Sequence, residues 1–181
     1  PTYIKCVAYS NGGHGDIDPC KALMKSCNDV MMHMAADLGA TRFAKYVRSF
    51  GFGSKTGIDL PGEAEGGIFS KEKLHQVELA TSSFGQGQTV TMIQLASAFS
   101  AVINGGNYYQ PHVVKEINSE SGAVVSSNDN TLVKRVVSED ASKLIRKYLE
   151  KTVEDDEGTA SPARVKGYVI GGKTGTAEKW P

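Results

Sequence analysis

The sequence predicts an α/β fold of the α+β kind, helix-rich with a small antiparallel sheet. Apolar residues recur at helical spacing in five segments, most of them bounded by a capping residue or a glycine. Residues 108–125 have the pattern of a β-hairpin, and residues 165–170 form a short β-prone run. The 181 residues contain no internal repeat and no evident linker, so we expect them to belong to one domain.

Three helices are predicted near the start of the chain. Asp18-Pro19 is a helix-start signal, because the fixed φ of proline suits the first helical turn. A second helix runs from Val30 to a stop at Gly39, and a third ends at Gly51. The glycine-rich segment that follows, FGFGSKTGIDLPGEAEGG, is predicted to be irregular.

Two more helices are predicted in the second half. Thr91 and Gln94 have the spacing of a capping box, and an apolar stripe follows them as far as Asn104-Gly105. Ser138 is a further N-cap, with acidic residues in the next turn that complement the helix dipole. The buried face of this last helix is predicted to carry Leu144, Ile145, Tyr148 and Leu149.

Composition excludes several classes of function. Twenty basic and twenty acidic residues cancel, so no basic field indicates a nucleic-acid partner. No apolar run reaches the roughly eighteen residues of a membrane-spanning helix, and the first residues do not have the pattern of a signal peptide. The cysteines, with His14 and His33, do not have a recognisable zinc spacing, so we expect neither a metal nor a cofactor.

Residues 167–176, GYVIGGKTGT, satisfy the phosphate-loop pattern G-x-x-x-x-G-K-[ST]. A phosphate loop requires a glycine-rich turn followed by a helix. Here the variable positions 168–171 favour a strand, and too few residues follow Thr174 for a helix. We therefore interpret the segment as a strand that ends at Lys173 and presents a cation, two hydroxyls and backbone N–H groups to a carboxylate.

A second Lys-Thr-Gly occurs at residues 55–57, among turn-forming residues and without a preceding strand. We interpret Lys55 as a surface lysine and Lys173 as the functional one.

Ser26 and Asn28 lie two residues apart, where the helical pattern is interrupted. They offer a hydroxyl for proton relay and an amide that can orient a peptide bond. An isolated S-x-N is weak evidence for an active site. It is a stronger indication here because KTGT follows about 145 residues later (173 − 28).

Taken together, these motifs resemble the transpeptidase domain of class B penicillin-binding proteins, and the sporulation and cell-division types look most similar. The family is implicated by the following segments, which occur in its order and cover most of the chain: HGDIDPCKALMKSCNDV, FGFGSKTGIDLPGE, SSFGQGQTVTMIQLASAFSAVINGG, YYQPHVVK and VKGYVIGGKTGTAEK. The resemblance implies a penicillin-binding-protein/serine β-lactamase-like fold. It implies that residues 1–181 are a partial transpeptidase domain, from just after the nucleophile helix to just after the KTG strand.

The resemblance also implies roles for the site residues. Lys173 and Ser26 would form the proton path to the leaving amine, and Asn28 would orient the acyl-donor peptide. The substrate-binding residues would be Thr174, Gly175 and Thr176, with the threonines contacting the carboxylate of a D-Ala-D-Ala stem peptide or of a β-lactam. The N–H of Thr176 would be one oxyanion-hole donor. The implied reaction is acylation of a serine with release of D-Ala, then transfer to an amino group of a neighbouring strand.

The sequence departs from the family pattern at the nucleophile. No S-x-x-K precedes Ser26, and the S-x-x-K of Ser70 to Lys73 follows it in a polar stretch, so we interpret it as a coincidence. We therefore expect an internal fragment that is inactive alone, and that is marginally stable or self-associates. Its parent would act at the extracytoplasmic face of the bacterial cytoplasmic membrane, held there by an anchor upstream of this chain.

Two alternatives share the fold. One is a non-catalytic β-lactam sensor or a scaffold domain of a wall-synthesis complex. The other is a β-lactamase, which the segments IDLPGE and FGQG disfavour.

The cysteines suggest one property beyond the family pattern. Cys27 lies inside the S-x-N motif, with Cys6 and Cys20 nearby in sequence. A disulfide from Cys6 or Cys20 to Cys27 would tie down the motif and make activity depend on redox state.

Overall fold

The protein is described here by a computed structural model that covers residues 4–176. The end of the predicted domain at Trp180-Pro181, and residues 177–179 of the last quoted segment, lie outside the described residues. The helices are α1 (Pro19–Met24), α2 (Asn28–Leu38), α3 (Ala40–Ser49), α4 (Gln76–Ser83), α5 (Met92–Ile103) and α6 (Glu139–Glu154). The strands are β1 (Asn107–Tyr109), β2 (Glu116–Asn118), β3 (Val124–Ser127) and β4 (Leu132–Arg135). The predicted helix-rich α+β class is confirmed.

The chain forms two compact units. One comprises the described residues up to 44, residues 69–87 and the described residues from 143 onward, and the other comprises 45–68 and 88–142. The chain therefore passes between the units at 44/45, 68/69, 87/88 and 142/143. Because the units are interleaved in this way, neither is delimited by a linker that composition could reveal.

The first unit contains α1, α2 and α4. Asp18 caps α1 by accepting a hydrogen bond from the backbone N–H of Lys21 at 2.7 Å, as the Asp-Pro signal predicts. Helix α2 ends at Gly39, whose φ of 77° suits glycine, and it packs against α4. No helix within residues 4–176 combines the length and the apolar character needed to cross a bilayer.

The second unit is built around α5. Thr91 and Gln94 form the predicted capping box, in which each side chain accepts a hydrogen bond from the other residue's N–H. The Gln94 side chain is fully buried and also donates to the carbonyls of Ser54 and Glu65, at 2.7 and 2.8 Å. Gln94 thereby attaches α5 to the irregular segment 50–67.

The second Lys-Thr-Gly lies in this irregular segment as a turn. The carboxylate of Glu63 accepts hydrogen bonds from the N–H and the hydroxyl of Thr56, both at 2.6 Å, and from the N–H of Gly57 at 3.1 Å. Lys55 is exposed. The motif is used here to organise a loop.

The predicted hairpin is shorter than the sequence pattern indicates. Strands β2 and β3 form the hairpin, and the Ser119 N–H donates to the Ala123 carbonyl across its turn. Tyr108 lies in β1, which pairs with the unpredicted strand β4, so assigning it to the hairpin was wrong. The cause is that β propensity does not specify the partner strand.

Two further expectations were wrong. No strand forms over 165–170; the Ile170 N–H donates to the Glu154 carboxylate at 2.9 Å and the Gly172 N–H to the Leu149 carbonyl at 3.1 Å, so α6 takes the place of a partner strand. Leu144 is exposed rather than buried. It lies two residues after the buried Ser142, about 200° around a helix with 3.6 residues per turn. The buried positions of α6 are Ser142, Leu149, Thr152 and Val153.

Candidate active site

The turn between α1 and α2 places Ser26 in a strained conformation. Its φ is 53°, and it is the one non-glycine residue with a positive φ within residues 4–176. This left-handed region costs an L-residue about 1–2 kcal/mol. The turn is held by the Cys27 N–H, which donates to the Ala22 carbonyl at 2.9 Å, and α2 begins at Asn28. Strain of this kind is concentrated at functional sites.

Lys173 contacts Ser26 directly. Its Nζ donates to the Ser26 Oγ at 2.7 Å, although 147 residues separate the two in sequence. The same Nζ donates to the carbonyl and the hydroxyl of Thr174, at 3.0 and 3.3 Å. The fold thus brings the serine of S-x-N against the lysine of KTG.

The Lys173 ammonium forms no ion pair with a carboxylate of residues 4–176. Among the described residues no carboxylate lies within ion-pair distance of its Nζ, and the side chain is half-buried. Burial disfavours the charged form and lowers the pKa of Lys173 below its ordinary value of 10.5. A larger neutral fraction makes this amine a better proton acceptor near neutral pH.

The KTG segment is attached to the end of α1 through the loop that follows α6. Thr159 donates its hydroxyl and its N–H to the Met24 carbonyl, at 3.0 and 3.2 Å, and its Oγ1 lies 3.4 Å from that of Thr174. Glu157 pairs with Lys25 at 3.1 Å, and this ion pair lowers the pKa of the carboxyl. The loop therefore connects the residues just before Ser26 to the residue just after Lys173.

Thr174, Gly175 and Thr176 are exposed. A Cβ added at Gly175 would meet no atom of residues 4–176 within 4 Å. The Thr176 carbonyl accepts a hydrogen bond from the Gln86 side-chain amide at 3.2 Å. The segment is held by its flanks and presents its side chains to solvent.

Asn28 is the first residue of α2 and is half-buried. Its side chain forms no hydrogen bond with any part of the chain that the structure describes. The amide is therefore available to a ligand, and within residues 4–176 no hydrogen bond joins it to Ser26 or Lys173.

The side chains of Cys6 and Cys27 lie together at the start of α2, where Cys27 is the middle residue of the S-x-N motif. All three cysteines are free thiols, the Sγ atoms of Cys6 and Cys27 are 3.9 Å apart, and Cys20 hydrogen-bonds to neither of them within residues 4–176. Burial raises the pKa of Cys27, and the adjacent Cys6 raises it further. Burial also acts on Cys6, but hydrogen bonds, chiefly from the N–H groups of Ala8 and Asn28, leave the pKa of that thiol lowered.

Comparison with known proteins identifies the family. The family described as penicillin binding protein transpeptidase domain matches residues 2–181. The chain belongs to this family.

Relatives of this transpeptidase family agree with the match. Stage V sporulation protein D of Bacillus subtilis is 44% identical over 177 residues, which are 97% of this chain and 27% of that protein. A D,D-transpeptidase domain from Eggerthella lenta superimposes with a TM-score of 0.85 at 28% identity, covering 95% of this chain and 44% of that one. Penicillin-binding protein 3 of Mycobacterium tuberculosis, solved with aztreonam, gives 0.82 at 28% identity, covering 89% and 37%. The chain spans little more than a quarter of the length of the curated relative.

Sequence reasoning about this penicillin-binding-protein domain missed three residues near the site. Gln86 lies in the FGQG segment, which carried the resemblance without a role for any side chain. Thr159 follows a charge run in a loop, and His14 lies in a glycine-rich segment that has no zinc spacing. Gln86 and Thr159 acquire their contacts only through the tertiary fold, with Thr176 and Met24.

Ser70 and Lys73 lie at a short 3-10 helix. Ser70 is its N-cap and Lys73 its last residue, and the Lys73 N–H donates to the Ser70 carbonyl at 3.0 Å. Neither side chain hydrogen-bonds to the described part of the Ser26 and Lys173 cluster.

Proposed function

We propose that this chain forms part of a peptidoglycan D,D-transpeptidase domain that cross-links stem peptides by acyl-serine transfer and is acylated by β-lactams. The observation that carries the proposal is the 2.7 Å contact between Lys173 Nζ and Ser26 Oγ, because it joins the second and third motifs of the matched family. The similarity to the D,D-transpeptidase domain from Eggerthella lenta supports the reaction class.

The proposed acyl-serine transfer has two steps. In the first, a serine hydroxyl attacks the carbonyl of the D-Ala-D-Ala bond, an ester forms, and D-Ala leaves with the proton. In the second, an acceptor amine attacks the ester and the serine regains its proton. These 181 residues contain no S-x-x-K ahead of Ser26, so the nucleophile is not assigned to any residue of this chain.

The named residues would act on the leaving group and the carbonyl. Lys173, with its lowered pKa, and Ser26 would pass the proton to the departing amine. The Asn28 side chain would orient the donor peptide. The N–H of Thr176 would stabilise the oxyanion, which is typically worth a few kcal/mol of barrier.

The substrate would be recognised by its carboxylate. Thr174, Gly175 and Thr176 would bind the terminal carboxylate of the stem peptide or the equivalent group of a β-lactam. Complexes of the Mycobacterium tuberculosis relative with aztreonam and ampicillin support the β-lactam part. Such a domain would work at the extracytoplasmic face of the cytoplasmic membrane, where peptidoglycan is cross-linked, and we assign it no cofactor and no nucleic-acid partner.

The test is covalent labelling of the intact protein that carries this chain with fluorescent penicillin. Lys173→Ala is expected to slow labelling by about 100-fold or more, the usual effect of removing a proton-transfer group. Lys55→Ala is the matched control because it alters the other Lys-Thr-Gly, and it should leave the rate within about twofold. The 181-residue chain alone should stay unlabelled. Equal losses in both lysine variants would refute the assignment of Lys173, and labelling at Ser70 would refute the view that its motif is a coincidence.

A non-catalytic sensor or scaffold domain is the alternative. A sensor would be labelled by penicillin but would form no cross-linked product from a donor pentapeptide and an acceptor amine. A scaffold would show neither reaction. Cross-linked product that requires Lys173 would exclude both.

A further inference from the structure

Two thiols and an imidazole converge beside the S-x-N turn. The Cys6 Sγ lies 3.9 Å from the Cys27 Sγ and 3.7 Å from His14 Nδ1, and all three donor atoms lie within 4.8 Å of one another. Cys27 is 3% exposed, and the other two residues are half-buried. Neither His14 nor Cys6 hydrogen-bonds to Ser26 or Lys173 within the described residues.

These separations match a tetrahedral zinc ion. With Zn–S of about 2.3 Å and Zn–N of about 2.0–2.1 Å, tetrahedral angles place two sulfurs about 3.8 Å apart, and a sulfur and a nitrogen about 3.6 Å apart. The observed 3.9 and 3.7 Å differ from these values by about 0.1 Å. The two separations that involve Cys6 therefore fit a tetrahedral ion, and the third, between Cys27 and His14, is at most 4.8 Å.

Local backbone geometry brings the donors together. The N–H groups of Asn11 and Gly13 both donate to the Ala8 carbonyl and so turn the chain back after Cys6. Gly13 and Gly15, on either side of His14, have φ of 82° and 64°, which other residues rarely adopt. Cys27 is the N-cap of α2, where the positive end of the helix dipole favours a thiolate.

We propose that Cys6, His14 and Cys27 form a Cys₂His site for Zn²⁺, with the fourth position open to water or to another ligand. Binding would displace one proton from each thiol, and both sulfurs would coordinate as thiolates. The site does not depend on the proposed transpeptidase activity, since none of its donors takes part in that reaction.

The site would act on the active-site turn through Cys27. Ser26 and Asn28 flank this residue, so a Zn–Cys27 bond would restrain the backbone of the S-x-N turn. A zinc ion bound to both Cys6 and Cys27 would occupy both thiols of the disulfide that the sequence suggests between them. Zinc binding and disulfide formation would therefore exclude each other.

The test is Zn²⁺ binding by the intact protein, kept reduced, in competition with a chromogenic chelator. Each ligand variant, Cys6→Ser, His14→Ala and Cys27→Ser, is expected to weaken binding by about 100-fold or more, at least as much as the loss of a residue that merely supports a ligand. The matched controls are Cys20→Ser and His33→Ala, which remove a thiol and an imidazole outside the cluster and should bind as the unaltered protein does. Co²⁺ in place of Zn²⁺ should show the absorption of tetrahedral thiolate coordination, and His14→Ala should remove it.

Cys27 is buried, so replacing it can also unfold the turn; the half-buried Cys6 and His14 therefore decide the result, with circular dichroism confirming that their variants are folded. The proposal is overturned if the reduced protein does not compete for stoichiometric Zn²⁺ at micromolar concentration. It is equally overturned if folded His14→Ala or Cys6→Ser binds as tightly as the two controls.

Discussion

Lys173 is the residue in which burial and function are most closely linked. Its ammonium donates to Ser26 and to Thr174, but no carboxylate among the described residues compensates its charge. Hydrogen bonds to neutral oxygens offset only part of the cost of removing a cation from water. Burial therefore lowers the pKa of Lys173. The lowered pKa leaves more of the amine neutral and able to accept a proton.

A pH titration should detect the lowered pKa of Lys173. Because the pKa of Lys173 in the folded protein lies below its ordinary 10.5, the folded state binds fewer protons than the unfolded state between the two values. The free energy of unfolding should then rise with pH across that window, and the added stability should be lost as pH falls below the lowered pKa. NMR of ¹³C-labelled lysines should show one resonance titrating early. That resonance should vanish in Lys173→Gln and persist when the exposed Lys166 is replaced by Gln; its persistence in Lys173→Gln would contradict the assignment.

Two substitutions at Ser26 can separate the cost of its positive φ from the effect of losing its hydroxyl. Ser26→Ala and Ser26→Gly both remove the contact with Lys173, but only glycine relaxes the φ of 53°. We expect the glycine variant to be more stable than the alanine variant by about 0.5–1 kcal/mol, the left-handed penalty less the extra freedom of glycine in the unfolded chain. Urea unfolding of the two proteins measures the difference. Equal stabilities would mean that the turn relaxes without cost.

Among the elements, α5 shows how a single side chain can organise a long irregular segment. Gln94 closes the capping box and, with its amide, satisfies two carbonyls of residues 50–67. A segment so rich in glycine has few apolar side chains of its own to bury. Its position therefore depends on polar contacts made by a neighbouring helix.

Replacing Gln94 by leucine should test this dependence. The change leaves the carbonyls of Ser54 and Glu65 without their donor and also removes half of the capping box. We expect a loss of about 2–4 kcal/mol in the free energy of unfolding, because each buried unsatisfied group costs about 1–3 kcal/mol. Gln76→Leu, at an exposed position of α4, is the control and should change stability by less than about 0.5 kcal/mol.

Helix boundaries could be predicted from sequence because their signals are local. Asp18-Pro19, the Thr91 and Gln94 pair, and Gly39 each act within one turn of the helix that they bound. The strand expected over 165–170 failed because a strand requires a partner, and this backbone bonds to α6 instead. Ser26 and Lys173 could be selected from motifs, whereas Thr159 could not, since no local pattern indicates its contact with Met24, 135 positions away.

The whole molecule leaves much apolar surface exposed. Side chains more than 60% exposed include Met92, Val113, Val125, Tyr168 and Val169, and most of the strand residues are also exposed. Exposed apolar side chains that form a contiguous patch usually mark contact with other protein. Strands β1 to β4 pair only two by two within residues 4–176, which leaves their outer edges open.

We therefore expect the 181-residue chain, when isolated, to self-associate. Its apparent mass in sedimentation should rise with concentration, and its urea midpoint should shift with concentration because association and folding are coupled. A single cooperative transition that is independent of concentration would contradict this expectation.

The contact between Ser26 and Lys173 also has a consequence for synthesis on the ribosome. The two residues are translated 147 positions apart, so the site cannot close until the lysine has been made. At about 5–20 residues per second, the strained serine waits about 7–30 s for its partner. During that interval Ser26 lacks the hydrogen bond from Lys173, so the nascent chain cannot yet hold the closed site.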